Sequence, residues 1–504
     1  MRKQVIIGSA SGGLQIILNS ILILITIPVF ISRLGLTLYS IFSLLLLIGN
    51  LNVFLNLGLN SSLVKYLAEQ GKSIQSNYDI AANFIFLSSI VFPLTIIGIY
   101  FNDFILINIF NIDEQLITPD VTSLFNLLFI SNSIILIGQI FSAVLDSQQK
   151  VYLSNFVQII YNFIFWGLIL FCLLLGTNLY IIGISILFAT LVWGLLLFYL
   201  FIKEWGSIKL KGINNNFIPA LQKQFSYGSK LYISGSISFF YEPFTKILIS
   251  HFIGLNDVAF FDIALKVRNQ IWNLIGKLFY PIFPLIAKLS DKNTIRNLIH
   301  DIEQKAAFLI IPILVSVIFV TEPFIKIWIG DNTEKISTTT IYIVSAFLIG
   351  SLVIPNYQYL MAKGHPGKTI IIQSTNVFVN SFLFFIALPS LGYYSAVLSN
   401  VGAIISSFIL CLYYQKKYLD SLIFDSLEQL FKFLIIVIVN VFWGFLVYYL
   451  VENIIVKIVL IPFTLIILSV IIYRHLRIFT SESIFKYSGQ ESLIGRAINR
   501  ILIK

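Results

Sequence analysis

The sequence predicts an all-α polytopic membrane protein with about 14 transmembrane helices in two bundles of about seven. Three observations favour this class. Of the 504 residues, 58% are hydrophobic and only 11% are charged, and the mean hydropathy is +0.92. Apolar runs of about 20 residues, the length that crosses the hydrocarbon core of a bilayer, recur along nearly the whole chain. The connections between these runs are short.

The first apolar run, 14–32, follows the basic N-terminus MRKQ. No small-residue cleavage site follows it, so we expect a retained first helix. Cys172 and Cys411 fall within apolar spans, where they behave as small hydrophobic residues, and no disulfide framework is indicated. The predicted spans lie near residues 14–32, 39–58, 80–101, 121–145, 153–175, 180–202, 227–250, 258–286, 305–329, 338–361, 369–389, 391–414, 432–451 and 455–473.

The distribution of Lys and Arg predicts the orientation. Most of the 33 basic residues fall on connections and span ends that become cytoplasmic if the N-terminus is inside, and only Arg33, Lys335 and Lys457 fall outside. An even number of spans returns the C-terminus to the cytoplasm. We therefore expect a multi-pass protein of the bacterial inner membrane with both termini cytoplasmic. The net charge of +10 is mostly a topology signal, and no nucleic-acid partner is expected because no basic soluble domain is evident.

Two segments of the chain resemble each other. FISRLGLTLYSIFSLLL at 30–46 and LISHFIGLNDVAFFDIAL at 248–265 align with one inserted residue, which matches Gly35 with Gly254 and Ser43 with Asp262. Spans 1 and 7 both start inside, so the halves run parallel. Parallel repeats are related by an axis along the membrane normal, and in transporters the substrate path lies between them. The repeat thus predicts a pseudo-two-fold axis along the membrane normal.

The predicted organisation has four parts. Residues 1–210 form an N-terminal bundle of spans 1–6 with a basic loop, and residues 211–414 form a C-terminal bundle of spans 7–12. Residues 415–473 add two spans, and residues 474–504 form a basic amphipathic cytoplasmic tail. From about residue 484 the tail has the apolar periodicity of an interfacial helix, and a disordered tail is the alternative.

Polar residues form a stripe inside the eighth span. At about 100° per residue, Asp262, Lys266, Asn269, Gln270, Asn273 and Lys277 share an arc of about 100°, whereas Arg268 lies on another face. Ionisable groups inside a membrane are costly and usually line a cavity. The stripe therefore predicts a water-filled cavity between the halves.

The seventh and first spans carry similar stripes. In span 7 the polar face includes Glu242, with Lys246 at its edge, and in span 1 it includes Gln15 and Asn19, with Arg33 at the outer end. An alternative is local neutralisation, because Glu242–Lys246 and Asp262–Lys266 are both acid-to-base pairs four residues apart. The predicted cavity-lining, substrate-binding residues are Lys266, Lys277, Asn273, Gln270, Asp262, Glu242, Lys246, Gln15, Asn19 and Arg33.

Several segments resemble bacterial polysaccharide-biosynthesis flippases. They are ISRLGLTLYSIFSLLLLIGNLNVFLNLGLNSSLVKYLAE at 31–69, FIGLNDVAFFDIA at 252–264, LFYPIFPLIAKL at 278–289 and IKIWIG at 325–330. Two departures matter. Tyr39-Ser40 stands where Tyr-Gly is usual, and Asn56 stands where an acidic residue before Leu-Gly is common. If that acid couples transport in relatives, this chain must do so elsewhere; Glu242 and Asp262 are the candidates.

The resemblance implies alternating-access export of an undecaprenyl-diphosphate-linked oligosaccharide unit from the cytoplasmic to the outer leaflet, for O-antigen or capsule assembly. Its implied partners are this glycan, membrane lipids and other polysaccharide assembly proteins. Amide and hydroxyl side chains exchange hydrogen bonds with sugar hydroxyls at little net cost, and lysine attracts phosphate as a flexible point charge. The predicted cavity residues suit such a cargo.

Two other functions remain open. An ion-coupled multidrug exporter would need a cavity for an organic cation, yet the charges at membrane depth are mainly basic, and the acids are chiefly Glu242 and Asp262. A membrane glycan polymerase or ligase would be an enzyme with a sizeable outer loop. The longest outer connection, 102–120, has carboxylates but no histidine. No Walker-type loop or metal-ligand cluster is recognisable. We therefore expect that the protein is not an enzyme and that it has no cofactor and no metal site.

Overall fold

The computed structural model describes residues 2–208, 213–279, 286, 289–330, 333–363, 365–476 and 478. Its described residues are helical or lie in turns and connections, and none of them is in a strand. The predicted interfacial helix from about 484 to 504 lies outside these ranges. By their contacts the residues divide into two compact units, Met1–Asp262 and Ile263–Lys504.

The first unit contains the helices of the N-terminal part of the chain and the start of α11. Short 3-10 helices at Leu46–Leu51 and Glu114–Leu116 and a π-helix at Ile105–Ile109 lie between them. The α-helices are α1 Arg2–Leu45, α2 Asn52–Asn56, α3 Leu59–Gln70, α4 Ile74–Tyr100, α5 Asn102–Phe104, α6 Pro119–Ser147, α7 Val151–Leu174, α8 Leu179–Trp205, α9 Ile213–Phe239, α10 Glu242–Phe252 and α11 Leu255–Phe279.

The second unit contains the rest of α11 and seven further α-helices among the described residues. A large apolar core, which includes Ile311, Leu314 and Ile436, links several of them. They are α12 Lys292–Ile329, α13 Glu334–Ser351, α14 Ile354–Ala362, α15 Pro366–Leu391, α16 Tyr394–Leu419, α17 Leu427–Leu450 and α18 Ile454–His475.

The membrane class predicted from hydropathy is confirmed. Ten described helical stretches are long and apolar enough to cross a membrane, and α13 with α14, bent by 51°, makes up to eleven. Predicted spans 1 and 2 fall on one stretch, Ser11–Asn56, in which Gly35 interrupts the helix with a φ of 85°. This left-handed backbone favours glycine and lets one helical segment follow another directly. The element order is consistent with a 14-helix arrangement.

Span 7 is not the single helix that we expected at 227–250. The helix α9 ends at Phe239 and α10 begins at Glu242, with Pro243 in its first turn. Proline lacks a backbone N–H and fits the first turn of a helix, where that donor would have no partner. A helical wheel drawn through this break is wrong, because residues on its two sides do not share a continuous 100° register.

The boundary between the compact units lies inside α11, after Asp262. Helix α9 packs against α3 and α4 in the first unit. The predicted division at residue 211 is based on counting spans and stays a prediction, as do the boundaries at 414 and 473.

Candidate functional site

A buried ion pair between α10 and α11 is the best-defined polar site of the first unit. The Lys246 ammonium contacts Asp262 Oδ1, and their side chains are only 13% and 4% exposed. The Tyr39 hydroxyl donates to Asp262 Oδ2 at 2.8 Å, and Lys246 Nζ donates to Ser43 Oγ at 3.4 Å. Both carboxylate oxygens of Asp262 are thus hydrogen-bonded. We call Tyr39, Ser43, Lys246 and Asp262 the polar cluster.

Local structure places these four side chains together. Gly35 ends the first segment of α1, and the segment after it carries Tyr39 and Ser43. Phe30 packs edge-on against Tyr39, with ring centroids 5.5 Å apart, and stacks on Phe42. Phe30, Tyr39 and Phe42 are each only 1% exposed, so the polar cluster adjoins a buried aromatic group. Charge interactions are stronger in such a low-dielectric setting than in water.

The two repeated segments meet beside the polar cluster. Thr37 Oγ1 donates to Asn256 Oδ1 at 2.9 Å, and the alignment of Gly35 with Gly254 matches these two positions. Residues related by a two-fold operation can touch each other only near its axis. Ser43 and Asp262, also matched by the repeat, both contact Lys246. These contacts agree with a two-fold relation between the segments.

The chemistry of the polar cluster follows from its burial. Removing one partner of a buried pair leaves an uncompensated charge and costs about 3–5 kcal/mol. A proton on Asp262 would weaken the pair by removing its negative charge. A second anion near Lys246 would weaken it by competing for the ammonium. The pair can therefore hold Lys246 in one position and release it toward another anion.

The other predicted residues of the first unit lie in varied surroundings. Glu242 begins α10, one turn before Lys246, and Gln15 is half-buried on α1. Asn19 Oδ1 accepts a hydrogen bond from Trp166 Nε1 at 3.1 Å, which links α1 to α7. Arg33 is exposed at the end of the first segment of α1.

The rest of the α11 stripe belongs to the second unit. Lys266, Gln270 and Asn273 are half-buried, and the side chain of Lys277 lies outside the described part of the chain. Arg268, which the wheel places on another face, is only 8% exposed. Its face therefore packs inside the protein. Substrate binding by the stripe residues stays a prediction.

A second polar group, which our sequence analysis missed, links α4 to α9. Asp79 is fully buried and its Oδ2 lies 3.3 Å from Lys223 Nζ. Gln224 Nε2 donates to the Asp79 carbonyl at 2.9 Å, and Asn83 Nδ2 donates to Gln224 Oε1 at 2.9 Å. Asp79 and Asn83, four residues apart at the start of an apolar helix, were the available signal.

Two lysine–tyrosine contacts adjoin this group. Lys223 Nζ lies 4.0 Å from the centre of the Tyr66 ring, and Lys65 Nζ lies 4.2 Å from that of Tyr227. Both lysine side chains are partly exposed, at 32% and 38%. Ammonium groups over aromatic faces form cation–π contacts, and they keep donors for an anion.

Asn56, which replaces an acid common in the resembled family, has a capping role. Its Oδ1 accepts the backbone N–H of Asn60 at 3.0 Å, and its Nδ2 donates to Gln139 Oε1 at 3.4 Å. A carboxylate could accept the same N–H but could not donate to Gln139. Among the described residues no group of three or more His, Cys, Asp or Glu could hold a metal ion.

Comparisons with known proteins agree with this fold. The family model described as polysaccharide biosynthesis protein matches residues 8–290. The "Putative O-antigen transporter" of Shigella flexneri is 20% identical over 293 residues, which cover 58% of this chain and 69% of that protein.

Two solved structures share the fold at low identity. The lipid II flippase MurJ in an inward closed conformation has a TM-score of 0.73 and 18% identity, over 94% of this chain and 100% of that one. An inward-facing multidrug resistance MATE family transporter of the MOP superfamily has a TM-score of 0.61 and 15% identity, over 81% and 94%.

Proposed function

This chain belongs to the polysaccharide biosynthesis protein family, and we propose that it is a lipid-linked oligosaccharide flippase. In this proposal it moves an undecaprenyl-diphosphate-linked repeat unit from the cytoplasmic to the outer leaflet of the bacterial inner membrane. The unit then serves O-antigen or capsule assembly. The similarity to an O-antigen transporter and the fold shared with a lipid II flippase support this proposal.

One observation carries the proposal: the charge at membrane depth is mainly positive. Lys230, Lys246, Lys266, Arg268, Lys277 and Lys326 lie within predicted spans, whose acids are fewer. Asp262 already neutralises Lys246. The remaining excess of positive charge suits an anionic diphosphate better than the organic cation that a multidrug exporter would carry.

Each predicted site residue has a role in the proposal. Lys266 and Lys277 attract the diphosphate, and Lys246 becomes a third cation once its bond to Asp262 opens. Amide side chains such as Gln270, Asn273, Gln15 and Asn19 exchange hydrogen bonds with sugar hydroxyls. Asp262 and Glu242 set the charge of the site, and Arg33 binds the substrate at its outer end. The lipid tail of the substrate stays in the bilayer.

The test is glycan export by lysine variants in a strain that depends on this chain for its surface polysaccharide. Lys266→Ala and Lys277→Ala should each lower export roughly tenfold or more, since a hydrogen bond to a charged group is worth about 1.5–3 kcal/mol. Lipid-linked repeat units should accumulate in the inner leaflet. Lys→Arg variants should recover part of the activity, because charge is kept while its placement changes.

The matched control is Lys203→Ala, which removes one exposed positive charge from the last turn of α8. It should export like the wild type. Arg268→Ala is a poor control because Arg268 is buried. Cysteines at 266, 273 and 277 should react with a water-soluble thiol reagent, against a low background because Cys172 and Cys411 are buried. Normal export by both lysine variants at normal membrane levels would overturn the proposed roles.

A further inference from the structure

The second unit holds a buried carboxyl group that the proposed flippase mechanism does not use. Glu303 on α12 is 1% exposed, and Gln415 on α16 is fully buried. Gln415 Nε2 lies 2.6 Å from Glu303 Oε2. No described Lys, Arg or His forms an ion pair with Glu303. An ionised carboxylate with one hydrogen bond and no counter-charge is very costly in such a place.

Two oxygen atoms of this pair have no hydrogen-bond partner among the described residues. They are Glu303 Oε1 and Gln415 Oε1, both inaccessible to solvent. Buried polar atoms in folded proteins are rarely left without a partner, and each such atom calls for a physical reason. Here both are acceptors, and both belong to side chains already in contact with each other.

One proton on Glu303 would give both oxygen atoms a hydrogen-bond partner. A protonated carboxyl group can donate its O–H to the amide oxygen while its carbonyl accepts the amide N–H, which gives a closed ring of two hydrogen bonds. Exchanging the amide O and N of Gln415 does not remove the need for this proton. The 2.6 Å contact would then join two oxygens, and only an O–H could make it a hydrogen bond.

We propose that Glu303 is a proton-binding site, neutral in this conformation and hydrogen-bonded to Gln415 as an acid–amide pair. Its proton comes from water, and a conformational change that exposes the pair releases it. The ligand is the proton itself, so the site is independent of the glycan carried.

The surrounding groups favour the neutral acid. Asp425 and the Cys411 thiol interact electrostatically with Glu303. The basic side chains near Asp425 are in contact with it, since Arg296 lies 3.9 Å and the His300 ring nitrogen 3.6 Å from its Oδ2.

Among the described residues, no Lys, Arg or His of the helices packed against α12 forms an ion pair with Glu303. Glu334 and Lys335 lie in the first turn of α13. This turn follows the C-terminal end of α12 in the chain, whereas Glu303 lies in the N-terminal half of α12. From α17, Lys432 pairs with Glu428. Tyr359 comes from α14, and the end of α18 carries Tyr473, Arg474 and His475. The Tyr473 hydroxyl contacts the carbonyl of Phe308.

The test is the thermal unfolding of the purified full-length protein from about pH 6 to about pH 9, wild type against Glu303→Gln. An unfolded Glu releases its proton near pH 4.3. If Glu303 keeps its proton in the folded state, the folded protein binds one proton more than the unfolded chain. The free energy of unfolding therefore falls as pH rises. The wild-type midpoint should therefore fall with pH relative to that of Glu303→Gln, whose amide keeps both ring hydrogen bonds without a proton.

The control is Glu322→Gln, which removes an exposed carboxyl from the same helix. It should leave the pH slope of the wild type unchanged. Infrared spectra of the wild type in D2O should show the carbonyl stretch of a protonated acid, absent from Glu303→Gln. A constant difference between wild type and Glu303→Gln at every pH would overturn the proposal. So would stabilisation of the wild type by sodium at fixed pH, because it would indicate an ionised carboxylate binding a metal ion.

Discussion

At the scale of single residues, the pairing of Lys246 shows what a helical wheel can and cannot predict. The wheel identified Lys246 and Asp262 as polar residues on membrane helices. The only ion-pair partners that it suggested for them were residues four positions away on the same helix. The structure pairs Lys246 with Asp262, sixteen residues on and across α10 and α11. Which residues meet across two helices depends on their packing, which a wheel does not contain.

The residues that sequence reasoning missed had too little local contrast to stand out. Tyr39 and Ser43 lie in an apolar span and extend no stripe, whereas Glu303 lies in the charged run 300–305. Tyr39 is 1% exposed and reads from the sequence as one more aromatic residue of an apolar span. Its role follows from the position of its hydroxyl beside Asp262, which only the fold defines.

The polar cluster predicts non-additive effects of substitution. Lys246→Met takes this cation away from buried Asp262 and should lower stability by about 3–5 kcal/mol. The double variant Lys246→Met/Asp262→Asn removes both charges and keeps an acceptor for Tyr39, so it should recover most of that loss. Unfolding midpoints of the purified variants measure this. A double variant no more stable than Lys246→Met would show that the two charges do not stabilise each other.

At the scale of elements, a glycine contact sets how closely α3 and α9 approach. A Cβ atom built on Gly58 would lie 2.1 Å from the Gly228 carbonyl oxygen, and one on Gly228 would lie 2.9 Å from that of Gly58. Gly58 also has a φ of 73°. The Leu-Gly-Leu part of the family-like segment thus has a structural reason, which the sequence alone could not give because Gly228 is distant in the chain.

This contact predicts an order of stability among alanine variants. Gly228→Ala should cost about 1–3 kcal/mol because the added methyl group is overpacked against α3. Gly58→Ala should cost more, because a left-handed backbone adds about 1–2 kcal/mol for a residue with a side chain. Gly167→Ala in α7 is the control: its Cβ meets no atom within 4 Å, and alanine favours helix. Equal midpoints for all three variants would contradict the close contact.

At the scale of the whole molecule, hydropathy was sufficient for most of the spans. Every predicted span except the seventh, eighth and tenth falls on a described helical stretch that is long and apolar enough to cross a membrane, and the tenth falls on α13 and α14, which are long and apolar enough only as a bent pair. The seventh falls on α9 and α10, which are separated at Phe240 and Tyr241, and the eighth on charged α11. Polar residues that serve a site lower the hydropathy of the helices that carry them. The residues that indicate a site in these two spans therefore also make the spans harder to recognise by hydropathy.

Span counting also predicts which connections face the cytoplasm. The connection 101–118 between α4 and α6 is rich in carboxylates, whereas the ends of α8 and α16 carry Lys203, Lys416 and Lys417. Cytoplasmic loops retain Lys and Arg, so a reporter fused near residue 110 should be external, and reporters near 215 and 422 should be cytoplasmic. Alkaline phosphatase activity and green fluorescence of matched fusions measure this. A fusion at 452, between α17 and α18, should again be external and serves as the control for the last two spans. A cytoplasmic signal at 110, or an external one at 215, would reverse the orientation proposed for the chain and place the basic ends of its helices outside.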